Sequence, residues 1–343
     1  MTGDQPLKIA IVGAGLMGRW HAYFAVKAGA TVTAVVDPNT EAAKRLAQRF
    51  RGAATAPALE SALGEHQIDV VHICVPTSAH FPLAYTALSR QRHVLVEKPM
   101  TASAAETEGL VSMARARGLL INPVHQFPRQ RGFRRLRREV ERLGTPVRVT
   151  FTCCTAGGRD LGPAERSRLL IEVLPHPLSL FYGLFGERVF ERLEVVAATP
   201  GLEVEIGGTL DGARIAAAVS LRGRPTEVSL TYVGTEGSGY VDLFHGFYIG
   251  EGGRVSRRTK LTRPLARGAK LLLTSGLNLA GRTLRSEWAY PGLPDLIREF
   301  YGAIQRGQPA PIDEAETIGT ARALDRFRRH IPVAESIPVT AGR

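Results

Sequence analysis

The chain has 343 residues, 44% of them hydrophobic and 22% charged, with 44 lysines and arginines against 32 aspartates and glutamates for a net charge of +12. That length buries a large core and divides into two domains, and the composition excludes an intrinsically disordered chain. Cys74, Cys153 and Cys154, two of them adjacent, form neither a disulfide framework nor a metal-ligand spacing, so the expectation is a reducing cytoplasm and no metal site.

The N-terminus, MTGDQPLKIAIVGAGLMG, lacks the basic segment, long apolar run and small-residue cleavage site of a secretory signal. No transmembrane segment is expected either. The best candidate, Ala266 to Leu284, is interrupted by Arg267, Lys270, Asn278 and Arg282. The excess of positive charge favours anionic partners in general without choosing among them.

In chain order, the pattern predicts strands from Lys8 to Gly13, Thr31 to Asp37, Asp69 to Val75, His93 to Glu97 and Leu119 to Val124. Helices are expected between them, from Gly18 to Gly29, Thr40 to Phe50, Phe81 to Arg90 and Ser103 to Arg117. Near-continuous apolar strands separated by helices signify a parallel sheet covered on both faces, hence an α/β doubly wound (Rossmann) N-terminal domain, 1–124. From 125 to 343 the pattern predicts an α+β domain with a large, open, mainly antiparallel sheet. Its strands run from Val147 to Cys154, Arg192 to Ala198, Leu202 to Leu210, Ala213 to Leu221 and Glu227 to Val233. One long helix, Ala164 to Phe185, interrupts them. Helices return at Pro294 to Arg306 and Asp313 to Arg329, free to pack back on the first domain.

Gly13-Ala14-Gly15-Leu16-Met17-Gly18 stands directly after a strand and before a helix. Gly13 permits the tight turn, Gly15 lets backbone approach a diphosphate, and Gly18 allows close helix–strand packing. The N–H groups of the helix start, around Leu16 and Met17, face the anion. Asp37 ends the second strand 19 residues after Gly18, near the spacing of about 20 at which a carboxylate holds the adenosine ribose. Pro38 and Asn39 follow, with no arginine in place for a 2′-phosphate, so NAD is expected over NADP. Lys98, in Val96-Glu97-Lys98-Pro99, lies just past a strand end that faces the ligand crevice, where an ammonium can polarise a substrate oxygen. Glu172 and His176 are four residues apart, which puts them on one face of a continuous helix.

The chain resembles the glucose-fructose oxidoreductase / inositol dehydrogenase family (Gfo/Idh/MocA) over nearly its whole length. The likeness rests on GAGLMG, on VVDPN at the second strand, on VPTSAH after the next, on EKP, and on Glu172 and His176 in LLIEVLPHPLSLFYGLFG. It implies that Lys98 is the catalytic lysine, that His176 relays the substrate proton, and that Val75, Pro76 and His80, with Glu97 and Lys98, line the cofactor. By the same analogy His125, Gln126 and Arg129 border the substrate, and the open sheet makes a homo-dimer or tetramer. The chain departs from the pattern in having Glu172 where the family usually has Asp, often after a glycine pair missing here, and Ser179 where a second Asp is common.

The expectation is therefore an NAD-dependent oxidoreductase that interconverts a secondary alcohol and a ketone on a small-molecule, sugar-like or polyol substrate, phosphorylated, acidic and nucleotide-linked forms included. An imine or conjugated double-bond reductase, or a non-catalytic sensor or co-regulator, are the alternatives. The arginines from Arg129 to Arg142 read as a solvated helical face with a phosphate contact as the other option, and no nucleic-acid reader motif accompanies them. The basic, leucine-rich stretch from Arg254 to Arg285 reads as a lid or subunit contact, with contact to a membrane surface as the alternative.

Overall fold

The computed structural model describes residues 5–253 and 256–332. The outer ends of the two expected domains, 1–4 and 333–343, and Arg254 at the head of the basic stretch lie outside the described residues. Two compact units divide the chain: 1–126 with 293–322, and 127–292 with 323–343. The helix from Leu293 and most of the one after it thus complete the first unit.

The first unit begins β1 (Lys8–Val12), α1 (Leu16–Lys27), β2 (Thr31–Val36), α2 (Thr40–Ala47), β3 (Ala54–Ala56) and α3 (Leu59–Glu65). It continues β4 (Val70–Ile73), α4 (His80–Ser89), β5 (His93–Val96), α5 (Ala104–Ala116) and β6 (Ile121–Pro123). The second unit runs α6 (Arg131–Leu143), β7 (Pro146–Cys154), α7 (Pro163–Val173), α8 (Pro175–Phe185), α9 (Val189–Arg192), β8 (Glu194–Thr199) and β9 (Glu203–Leu210). There follow β10 (Ala213–Ser220), β11 (Glu227–Gly234), β12 (Gly237–Asp242), β13 (Phe247–Gly252) and α10 (Arg257–Leu284). The chain then forms α11 (Leu293–Arg306) in the first unit and α12 (Glu314–Arg328), which starts there.

All six strands of the first sheet are parallel, in the order β3-β2-β1-β4-β5-β6. This is the doubly wound order with its switch point between β1 and β4. Ile9, Ala10, Ile11, Val70, Val71, Ile73 and Val94 to Val96 are fully buried, as a sheet covered on both faces requires. Register aligns Val12 with Val36 and Ile73, Ile73 with Val96, and Val96 with Pro123. One row of residues therefore marks the carboxyl edge of five strands.

The second unit carries a seven-stranded sheet, β13-β12-β11-β7-β10-β9-β8. Only the β10–β7 pair is parallel. Phe133, Phe151, Phe181, Leu178, Leu180 and Ile215 fill the core beneath it with no exposure. Glycine sets the approach of α6: a Cβ on Gly132 would stand 2.8 Å from the backbone of Phe247 in β13.

The long helix expected from Ala164 to Phe185 is two helices. Pro175 and Pro177 lack the N–H groups that Ile171 and Val173 would need as partners four residues on. The Ile171 carbonyl accepts instead from Leu174 N at 3.1 Å, a tighter turn that ends α7. Glu172 and His176 consequently stand on opposite sides of a helix break, and the i,i+4 spacing does not describe one face.

Candidate active site

The residues one and two places beyond the aligned row form the carboxyl edge of the first sheet. Gly13, Asp37, Cys74, Glu97 and Val124 come first; Ala14, Val75, Lys98 and His125 follow.

At β1 the chain turns through Gly13, whose φ of +98° and whose closeness to Cys74 O (2.5 Å from a built Cβ) admit no side chain. Gly18 is tighter still: its Cβ would lie 1.8 Å from Gly13 O. Gly15 is different, for a Cβ there meets nothing within 4 Å. The first two glycines fold the loop, and the third leaves an open cradle at the start of α1. Leu16 is exposed and Met17 half-buried at that helix end, and no acidic side chain occupies its first turn. A diphosphate fits this combination of open glycine, helix N-terminus and basic surroundings. Asp37 accepts from Ala14 N and Asn39 N, each at 2.8 Å, so its carboxylate is built into the loop. Arg19 from α1, Arg45 from α2 and Arg49 just after α2 line a small pocket with Ala14. The expectation that no arginine is in place for a 2′-phosphate looked only at the residues following Asp37, and Arg45 and Arg49 come to line this pocket from farther along the chain.

The loop after β4 is clamped. His80, buried, bonds Val75 O at 2.8 Å and Pro99 O at 2.9 Å. This expected cofactor-lining residue thereby bridges the β4 and β5 loops, with the tautomer setting which carbonyl accepts, while Val75 is half-buried and Pro76 exposed. Lys98, half-buried, precedes a cis peptide to Pro99.

Glu97 points inward. Its Oε1 lies 3.1 Å from His21 Nε2 and its Oε2 accepts from Lys98 N at 3.1 Å. His21 Nδ1 lies 2.9 Å from His72 Nδ1, and His72 Nε2 2.8 Å from the Tyr301 hydroxyl. All four side chains are buried. Burial alone would raise the Glu97 carboxyl, but the bond from His21 and the charges of His21 and Lys98 outweigh it and hold it below the usual carboxylate range. An ionised carboxylate only accepts, so His21 donates from Nε2, and the tautomers set the direction of the His21–His72 bond. Burial and the adjacent His21 push His72 well below its ordinary value. Burial and then Glu97 push the Cys74 thiol well up, which leaves it a poor nucleophile. The sequence reading missed this chain. Its signal was two histidines among apolar residues, in α1 and in the strand VVHI, where solvent cannot satisfy them.

His125, buried, bonds Glu316 Oε1 from Nδ1 at 2.8 Å, and Gln126 beside it is also buried. Glu316 belongs to α12, within the same unit, and had not been singled out. The remaining expected residues stand in the second unit. His176 stacks on Phe127 with ring centroids 4.2 Å apart and planes 15° from parallel, and its carbonyl accepts from Ser179 Oγ at 3.0 Å. Arg129, Glu172 and His176 are all half-buried. Among the described residues no cluster of histidine, cysteine and carboxylate groups could hold a metal.

Residues 7–125 match a family model, GFO_IDH_MocA, described as an oxidoreductase family with an NAD-binding Rossmann fold. The chain is also 35% identical over 137 residues to the UDP-N-acetylglucosamine 3-dehydrogenase of Acidithiobacillus ferrooxidans, covering 37% of this chain and 42% of that one. The likeness to the Gfo/Idh/MocA family thus rests on the first 125 residues, about a third of the chain. The solved structure of that Acidithiobacillus enzyme matches with a TM-score of 0.70 at 22% identity, over 95% of this chain and 98% of the other. A second relative, the dTDP-3,4-didehydro-2,6-dideoxy-alpha-D-glucose 3-reductase of Streptomyces violaceoruber, is 29% identical over 215 residues, 60% of this chain and 62% of its own. Levoglucosan dehydrogenase, solved with NADH and levoglucosan, gives a TM-score of 0.74 at 17% identity over 95% of this chain and 97% of its own. The two sequence matches thus span 42% and 62% of those relatives, and the structural likenesses carry the fold alone.

Proposed function

We propose that this chain is an NAD-dependent oxidoreductase that interconverts a secondary alcohol and a ketone on a nucleotide-linked or otherwise anionic sugar. The observation that carries this reading is the row of strand ends, on which an open glycine cradle, a ribose-side carboxylate and Lys98 share one edge of a parallel sheet. Two relatives named as a 3-dehydrogenase and a 3-reductase of nucleotide-linked sugars support the substrate class, as does the net charge of +12.

A bound nicotinamide supplies the hydride acceptor for oxidation and the donor for reduction. Lys98 hydrogen-bonds the substrate oxygen and stabilises its charge while the carbon–hydrogen bond breaks. His176 takes the hydroxyl proton as the carbonyl forms and returns it in the reverse direction, and Glu172 is the carboxylate that orients either Lys98 or His176. Glu97 fixes the backbone of Lys98, and His125, Gln126 and Arg129 read the rest of the substrate. Asp37 carries a negative charge where NADP has a phosphate, which favours NAD. The pocket of Arg19, Arg45 and Arg49 favours NADP as the second reading. Three unbridged cysteines support a cytoplasmic protein. Val147, Val196 and Val233, exposed on the second sheet, support a homo-oligomer formed through it.

Reduced-nicotinamide absorbance, followed with a panel of UDP- and dTDP-sugars and sugar acids against both cofactors, tests the reading. Turnover with NAD, lowered about 10²- to 10⁴-fold in Lys98→Ala with dinucleotide affinity retained, is expected. Equal turnover in Lys98→Ala overturns the assignment, and a preference for NADP moves the weight to the arginine pocket.

A further inference from the structure

α10 is mounted with its polar side inward. Arg263 and Arg267 pair with Glu251 at 2.8 and 3.3 Å, and Lys270 donates to Gly250 O, all on β13. Asn278 and Arg282 donate to His245 O at 2.9 and 3.1 Å. A surface helix of a globular protein turns its apolar stripe to the core, and this one does the reverse. Leu261, Leu265, Leu272 and Leu279, at intervals of four and seven, form a stripe that is 66 to 81% exposed. Leu277 at 75% and Leu284 at 87% broaden it well beyond a coiled-coil seam. At 28 residues the helix presents this face over about 42 Å.

Charge discriminates among the occupants. The helix contains seven arginines and lysines and no acidic residue. α6, with six arginines and two glutamates, flanks the same cleft as Lys270 and Thr274 through Arg135 and Arg142. A second copy of α10 laid against the first would bring like charges together with no carboxylate on either helix to offset them. An anionic lipid surface offers both things the helix lacks, apolar depth for the leucines and negative headgroups for a net positive charge that Glu251 offsets only in part. Trp288, 62% exposed just past the helix end, suits the level of the headgroups. No helix among the described residues is long and apolar enough to cross a membrane, so contact is confined to the surface.

We propose that α10 is a docking helix for anionic membrane surfaces, lying in the interface with its leucine stripe inserted. The full-length protein is floated with vesicles of phosphatidylcholine alone and of phosphatidylcholine with phosphatidylglycerol, and its mass is read by light scattering. The expected result is recovery with the anionic vesicles only. Leu272→Glu/Leu279→Glu should weaken that binding at least about tenfold, because two carboxylates enter the inserted face, with folding and mass unchanged. Failure of the native protein to float, or floating that the double variant retains, overturns the proposal. A lower mass in the double variant overturns it in favour of a contact between copies of the chain.

Discussion

The three glycines of the β1–α1 loop do different work, and substitution separates them. Alanine at Gly18 drives a methyl into Gly13 O and should lower stability by about 3 kcal/mol. Alanine at Gly15 meets nothing in the protein and should change stability by no more than about 0.5 kcal/mol, yet it fills the cradle and should weaken dinucleotide binding. Urea melts and fluorescence titration with NADH check the pair; a Gly15→Ala protein that binds NADH normally contradicts the role given to the loop. His72 carries a pH prediction. Its imidazole titrates well below the ordinary value when folded, while an unfolded chain binds the proton near pH 6.5. The unfolded state therefore holds more protons below that pH, and stability present above it is lost as the pH falls. His93, lowered by burial against the opposing pull of Asp69, adds in the same sense. Thermal melts from pH 7.5 downward should show a falling melting temperature that is shallower in His72→Asn, and a flat profile for the native protein contradicts a buried, neutral His72. These groups were illegible as a network beforehand because His21 meets partners 51 and 76 residues away and His72 meets Tyr301 229 residues on.

At the scale of elements, the apolar strands of the first unit were legible to within about two residues because burial on both faces leaves an uninterrupted hydrophobic run. β3 and α3 escaped because Ala54–Ala56 is three residues long and Leu59–Glu65 too short to show a period. Glycines at 237, 239, 250 and 252 hid β12 and β13 in the same way, and α10 was obscured by Pro264. The return of α11 and α12 to the first unit rests on tertiary bonds that no local pattern encodes. Asn122, fully buried on β6, is the clearest: its Oδ1 accepts from Ile312 N at 3.0 Å and its Nδ2 donates to Pro123 O at 2.7 Å. Asn122→Ala leaves a buried N–H without its acceptor and should cost about 1–3 kcal/mol. Chemical denaturation measures this, and an unchanged midpoint would show that the segment before α12 is held by other contacts.

For the molecule as a whole, the division of labour follows the two units. One carries the glycine cradle, Asp37, Lys98 and the His125–Glu316 pair; the other carries Arg129, Glu172 and the His176 ring stacked on Phe127. GxGxxG in its strand–helix context and EKP at a strand end made the glycines, Asp37 and Lys98 readable, since each motif is a local device, whereas the His125–Glu316 pair joins residues 191 positions apart. The second set depended on family likeness, and the helix break before Pro175 shows how far spacing alone could mislead. The most direct test of the central claim follows an isotope. Keto forms of UDP- and dTDP-hexoses are reduced with NADH bearing deuterium at the transferred position, and the product is analysed by mass spectrometry and NMR. Deuterium on the carbon that gains the hydroxyl group is the predicted result. Deuterium on a carbon next to an intact carbonyl or on one bonded to nitrogen, or none transferred from bound NADH to any of them, would contradict it.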